Sequence, residues 1–132
     1  MKVYRYMSFH EFNLMEAGVT IVGRSYHDAN TDSVGVCFLP ELTYVRDGEA
    51  WTADKCLEFM SGIVTNDVLV EFETNETMTE SWGEYADPYG DYDDTISIME
   101  LCIPQYNRSS MIPVRYAMGD TNWYDISSWC SV

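Results

Sequence analysis

The residue in this sequence with the clearest chemical potential is Glu100, a lone carboxylate in an otherwise apolar run. Residues 95–118 hold two apolar runs, 96–103 and 111–118, around a polar turn at 104–110. Both runs are short, rich in Ile, Val and Tyr, and bounded by Pro, Asn and Ser, which reads as two strands. Alternation along the first puts Ile96, Ile98, Glu100 and Cys102 on one face. Ser97, Met99, Leu101 and Ile103 take the other. Glu100 is then either at a sheet edge facing water or held in a site. Arg5, on a first strand at 3–7, is either an ion-pair partner for a carboxylate or a clamp for an anionic ligand. His27, beside Arg24 and Asp28 in a polar loop, reads as solvated. The run 87–94, DPYGDYDD, suggests calcium but lacks the alternating ligands and terminal Glu of an EF-hand loop. Cys37, Cys56, Cys102 and Cys130 are far apart, with no CxxC pair. They read as reduced thiols, and no metal site is expected.

Charge bounds the partners. Seven Lys and Arg face twenty-two Asp and Glu, for a net charge of −15. No basic residue lies between Lys55 and Arg108, where twelve of the carboxylates fall. Phosphate contacts need Lys or Arg, so direct nucleic-acid binding is not expected, and anionic membrane surfaces are disfavoured. A basic partner would be attracted, a nucleic-acid-binding protein being the commonest kind. The alternative is that the charge serves solubility alone. With 132 residues, 46% of them apolar, the chain can bury one core as a single domain. No run of eighteen apolar residues and no apolar leader is visible, so a cytoplasmic protein is expected.

The elements that would position these residues read as α+β, a mixed or antiparallel sheet with two short helices. Strand 3–7 leads into a capping box, Ser8-Phe9-His10-Glu11, and a helix closed by Gly18. Residues 19–22 are extended and 23–33 form a polar loop. Residues 34–39 are dense enough in apolar side chains to be buried on both faces, and Gly35 there implies a backbone or ligand passing close. Residues 41–51 are ambiguous. Thr52 caps a second helix at 53–60, and a strand follows at 63–72 with a bulge at Asn66-Asp67. Residues 74–94 read as an acidic loop with Gly83, Pro88 and Gly90 as breakers. Residues 123–130 are a last strand or a docked tail.

The order of these features resembles the ADP-ribosyltransferase fold: VYRYMS, a helix ending in Gly18, SVGVCF, and a late strand bearing Glu100 before IPQYN and MIPVRY. The opening is also similar to that of small phage-encoded anti-CRISPR proteins with this layout. The resemblance implies Arg5 as the first-strand residue that holds NAD. It implies Ser33, Gly35 and Phe38 as further NAD contacts, and Glu100 as the catalytic carboxylate that stabilises an oxocarbenium-like state. The sequence departs from the family pattern at Ile98, where a Gln or Glu would stand, and in lacking a Ser-Thr-Ser triplet after Ser33. The rival expectation is a non-enzymatic binder of a basic nucleic-acid-binding protein. Its surface would be the acidic aromatic loop, through Trp82, Glu84, Tyr85, Asp87, Tyr89, Asp91, Tyr92, Asp93 and Asp94. Carboxylates would stand for phosphates, and rings would supply contact area at little entropic cost.

Overall fold

In chain order the elements are β1 (Lys2–Met7), α1 (Phe9–Glu16), β2 (Ile21–Val22), β3 (Val36–Phe38), β4 (Val45–Arg46), β5 (Glu49–Ala50) and β6 (Val68–Glu73). There follow β7 (Thr79–Ala86), β8 (Thr95–Ile103), β9 (Gln105–Tyr106), β10 (Ile112–Ala117) and β11 (Trp123–Asp125), which runs into a 3-10 turn at Ile126–Ser128. This computed structural model describes residues 1–23, 35–41, 45–46, 49–50, 67–86, 95–118 and 122–128. For 45–46, 49–50, 83–86 and 95–98 it is the backbone alone that is described. The expected helix at 53–60 and the expected strand start at 63–66 lie outside the described residues.

Every pairing among these strands is antiparallel. One sheet has the order β1-β6-β10-β11 and a second the order β3-β8-β7. They are joined where Tyr4 and Leu39 exchange backbone hydrogen bonds, Tyr4 N to Leu39 O at 2.8 Å and Leu39 N to Tyr4 O at 2.6 Å. The α+β class holds, with one α-helix among the described residues.

β6 is the central strand. Its sequence, VLVEFE, is buried at its first five positions because β1 and β10 flank it on both sides. Val3 and Met7 of β1, Val68, Val70 and Phe72 of β6 and Tyr116 of β10 form one side of the core, with Phe12 and Met15 of α1 packed over it. Phe38, Phe72 and Tyr106 meet edge to face, with centroids 5.3–5.7 Å apart. That geometry suits aromatic quadrupoles. Double-sided burial was expected of 34–39; β3 instead buries Val36 and Phe38 and leaves Cys37 half-exposed.

Three local expectations change. Ser8 caps α1, its hydroxyl accepting from Glu11 N at 3.1 Å, but the Glu11 carboxylate does not complete the capping box; it turns to Arg5 and Tyr106. A stronger, charged donor outcompetes a backbone N–H. Ser8→Ala should therefore cost about 1 kcal/mol through the lost cap, read as a shift in the urea midpoint. Second, the expected loop 74–94 contains β7, paired with β8 from Thr79↔Cys102 to Ala86↔Thr95. Gly83 does not break it, because β8 supplies the ladder and the outer side of an edge strand needs no apolar residues. Third, of the expected strand or docked tail at 123–130, the described residues 123–128 are a short strand and a turn: β11 pairs with β10, then runs into the 3-10 segment at Ile126–Ser128, where the Asp125 carboxylate accepts from Ser127 N at 3.0 Å.

Gly35 fulfils its expectation. Its φ is +146°, and a Cβ there would stand 2.7 Å from the carbonyl oxygen of Ile103. Gly23 lies as tightly against the backbone of Gly35 itself.

Candidate functional site

Arg5 projects from the core-facing side of β1 toward the start of α1. Its guanidinium forms a fork with Glu11, Nε to Oε2 at 2.7 Å and the second terminal nitrogen to Oε1 at 2.8 Å. The remaining arm donates to the carbonyl of Cys37 at 2.9 Å, and the cation lies 5.8 Å from the Phe38 ring centroid. Burial alone would make Arg5 easier to deprotonate; the hydrogen bond and negative charge of Glu11 outweigh it and hold the cation firmly. Tyr106 adds its hydroxyl, donating to Glu11 Oε2 at 2.8 Å. Arg5, Glu11 and Tyr106 thus tie β1, α1 and β9 together, while the Cys37 contact reaches β3.

Burial, then the neighbouring Glu11 charge, pushes the Tyr106 phenol far above the usual tyrosine range. The fold therefore prefers the protonated phenol. Its contribution to stability is complete below the unfolded value of about 10 and is lost as pH rises beyond it. Urea midpoints should begin to fall above about pH 8.5, where the raised Cys37 and Cys102 thiols ionise in the unfolded chain, and fall more steeply above about pH 10. Tyr106→Phe should flatten the part above about pH 10 without abolishing it, since burial also raises Tyr4 and the two thiols.

Behind Arg5 lies a second group. Cys37 and Cys102 are direct cross-strand partners, and their sulfurs approach to 2.7 Å. Glu100, two positions before Cys102 and therefore on its face, completes a set whose donor atoms all lie within 4.8 Å of one another. Burial, the Cys102 contact and the Glu100 charge push the Cys37 thiol far above its ordinary range. Burial also raises Cys102, against the lowering effect of the Cys37 contact, with Glu100 adding and Arg5 opposing. Of the two residues singled out for catalysis, Arg5 thus reaches the Cys37 carbonyl and Glu100 the Cys37 and Cys102 thiols.

The other expected contacts fall differently. Phe38 is 1% exposed, its ring enclosed between Phe72 and Tyr106 rather than facing a cleft. Gly35 meets the backbone of Ile103, and Ser33 lies outside the described residues. A cavity of about 430 Å³ opens at the β9 turn, lined by Thr20, Glu76, Pro104, Gln105, Asn107 and Ser110 among others. Its lining carries no cation. Of the acidic aromatic segment, Trp82 is 67% exposed on β7, next to exposed Glu80. Glu84 and Tyr85 lie on β7 as backbone positions, and Asp87, Tyr89, Asp91, Tyr92, Asp93 and Asp94 lie outside the described residues.

Two pairings were not anticipated. On β6, Glu71 is 2% exposed and receives a fork from Arg115, Nε to Oε2 at 3.0 Å and the terminal nitrogen to Oε1 at 2.9 Å. The Arg115 guanidinium also lies 4.1 Å from the Trp123 ring centroid. Glu71 carries the same signal as Glu100, a carboxylate inside an apolar run. Arg108 pairs with Glu16, 3.7 Å from its carboxylate and 2.8 Å from its carbonyl. Arg5, Arg108 and Arg115, the arginines whose side chains are described, are each held by a carboxylate of the chain itself.

No family model matches the chain, and neither a curated protein nor a solved structure matches it. The class defined by its own geometry is an antiparallel α+β domain with an Arg–Glu–Tyr cluster set against a dithiol–carboxylate group. Among the described residues no helix is long and apolar enough to cross a membrane.

Proposed function

We propose that this chain is a phage-type inhibitor that binds a basic, nucleic-acid-binding bacterial defence protein of the CRISPR–Cas kind in the host cytoplasm. It acts by occupying the nucleic-acid groove, on an ADP-ribosyltransferase-like scaffold used for binding rather than catalysis. The observation that carries this reading is the β7–β8 hairpin. It holds Glu80 and the 67%-exposed Trp82 on a strand that no other described strand covers, within a stretch of nine carboxylates and no cation from Glu71 to Asp94. Paired strands fix the spacing of the charges they carry at little entropic cost, which is what imitation of a phosphate backbone requires. The pairing of Arg5, Arg108 and Arg115 within the chain supports it, since those cations are already engaged.

The same pairing speaks against an NAD-dependent ADP-ribosyltransferase. Arg5 uses its fork on Glu11, Phe38 offers no free face, and the described cavity has no cation for a pyrophosphate. In a host with active CRISPR immunity and a matching spacer, expression of this chain should restore plaquing by the targeted phage. Purified effector incubated with this chain and NAD should keep its intact mass. No rescue of plaquing would overturn the inhibitor reading, and a mass gain of one ADP-ribose on the effector would replace it with the enzymatic one.

A further inference from the structure

We propose that Cys37, Cys102 and Glu100 form a three-donor site for a thiophilic divalent cation of the zinc class. The site uses β8 of the same hairpin, on the sheet face opposite Glu80 and Trp82, and it does not rest on the inhibitor reading. Two donors come from alternate positions of β8 and the third from the residue of β3 directly opposite Cys102. This is the smallest three-point set that one sheet face can offer, and it is built on paired strands rather than on a loop. All three donor atoms lie within 4.8 Å of one another. Cys37 and Glu100 are half-exposed while Cys102 is buried, so the group has a dry floor and an open side where water can complete a tetrahedron.

The chemistry of the set chooses the ion. Zinc takes thiolates at about 2.3 Å and carboxylate oxygens at about 2.0–2.2 Å, which puts two sulfurs of a tetrahedron roughly 3.7 Å apart. The sulfurs stand at 2.7 Å, so small χ1 rotations must open them by about 1 Å. Two sulfurs and one oxygen favour zinc over magnesium or calcium, which prefer all-oxygen shells. A simple disulfide is the competing use of the two thiols, and the test below separates the two. Binding the ion would release the two thiol protons, so uptake should strengthen as pH rises. The ion would also clamp β3 to β8 beside the carbonyl that Arg5 holds.

The test uses the full chain, reduced, with Cys56→Ser and Cys130→Ser to remove the other thiols. Titration with Co2+ should give one equivalent of tetrahedral visible absorption with a sulfur-to-metal charge-transfer band, and Zn2+ should displace it. Cys102→Ser should lose most of that band. Glu100→Gln keeps the side chain's shape and should retain the band while weakening affinity by at least the roughly tenfold to hundredfold that losing an outer-shell partner costs. Zn2+ should also protect Cys37 and Cys102 of the unsubstituted chain from iodoacetamide, mapped by peptide mass, which needs no variant to fold. Absence of the band and of protection would overturn the site. So would unchanged affinity in Glu100→Gln, or a reduced chain that ignores metal yet loses two hydrogens on exposure to oxidised glutathione.

Discussion

Replacing Arg115 by Met should lower the unfolding free energy by about 3 kcal/mol, because it strands the Glu71 carboxylate in the centre of the sheet. The two ends of this pair are unequal. Glu71 has 3% of its side chain exposed, whereas Arg115 has 40% and rests on the Trp123 ring. Water can reach the guanidinium but not the carboxylate. Glu71→Leu should thus cost only about 1 kcal/mol, since an apolar residue suits a strand buried on both faces and Arg115 can turn outward. The double variant should resemble Glu71→Leu rather than the sum of the two. Urea denaturation followed by tryptophan fluorescence gives all four corners of the cycle, and simple additivity would show that the pair is not coupled.

Gly35→Ala should be comparably severe, at about 3 kcal/mol. Two costs combine: a φ of +146° that L side chains rarely adopt, and a methyl group 2.7 Å from the Ile103 carbonyl oxygen. Neither can relax cheaply. Ile103 is fixed by the β3–β8 ladder, where it pairs with Val36, and the Gly35 backbone is itself packed tightly against Gly23. A urea midpoint equal to that of the parent would mean that the three backbone segments are not packed together in solution.

What could be read from the sequence was local. β1, the Ser8 cap, α1, and the strands at 95–103 and 112–117 follow from alternation, capping chemistry and breakers, and the close approach at Gly35 follows from glycine's position. Partners across strands were not legible, because register decides them. The bulge in β10 is the plainest case. Pro113 faces Phe72 and Arg115 faces Glu71, with Val114 inserted between them, so strict alternation would have given Glu71 the wrong neighbour. Cys37 and Cys102, 65 residues apart, meet for the same reason: their strands pair in register, which no spacing motif announces. β7 was hidden by its polarity. An edge strand with Glu80, Ser81 and Gly83 looks like a loop until the neighbouring strand is known.

The central claim, that the acidic hairpin occupies a nucleic-acid groove, is tested most directly by competition. A fluorescently labelled duplex bound to a purified CRISPR effector is titrated with this chain, at low salt and at about 1 M, where the screening length falls to about 3 Å. The account predicts stoichiometric displacement at low salt that fades at high salt. It also predicts that Glu80→Gln/Trp82→Ala/Glu84→Gln weakens displacement roughly tenfold or more, chiefly through slower association. Displacement by the triple variant equal to the parent's at both salts, or binding that leaves the duplex in place, would contradict it.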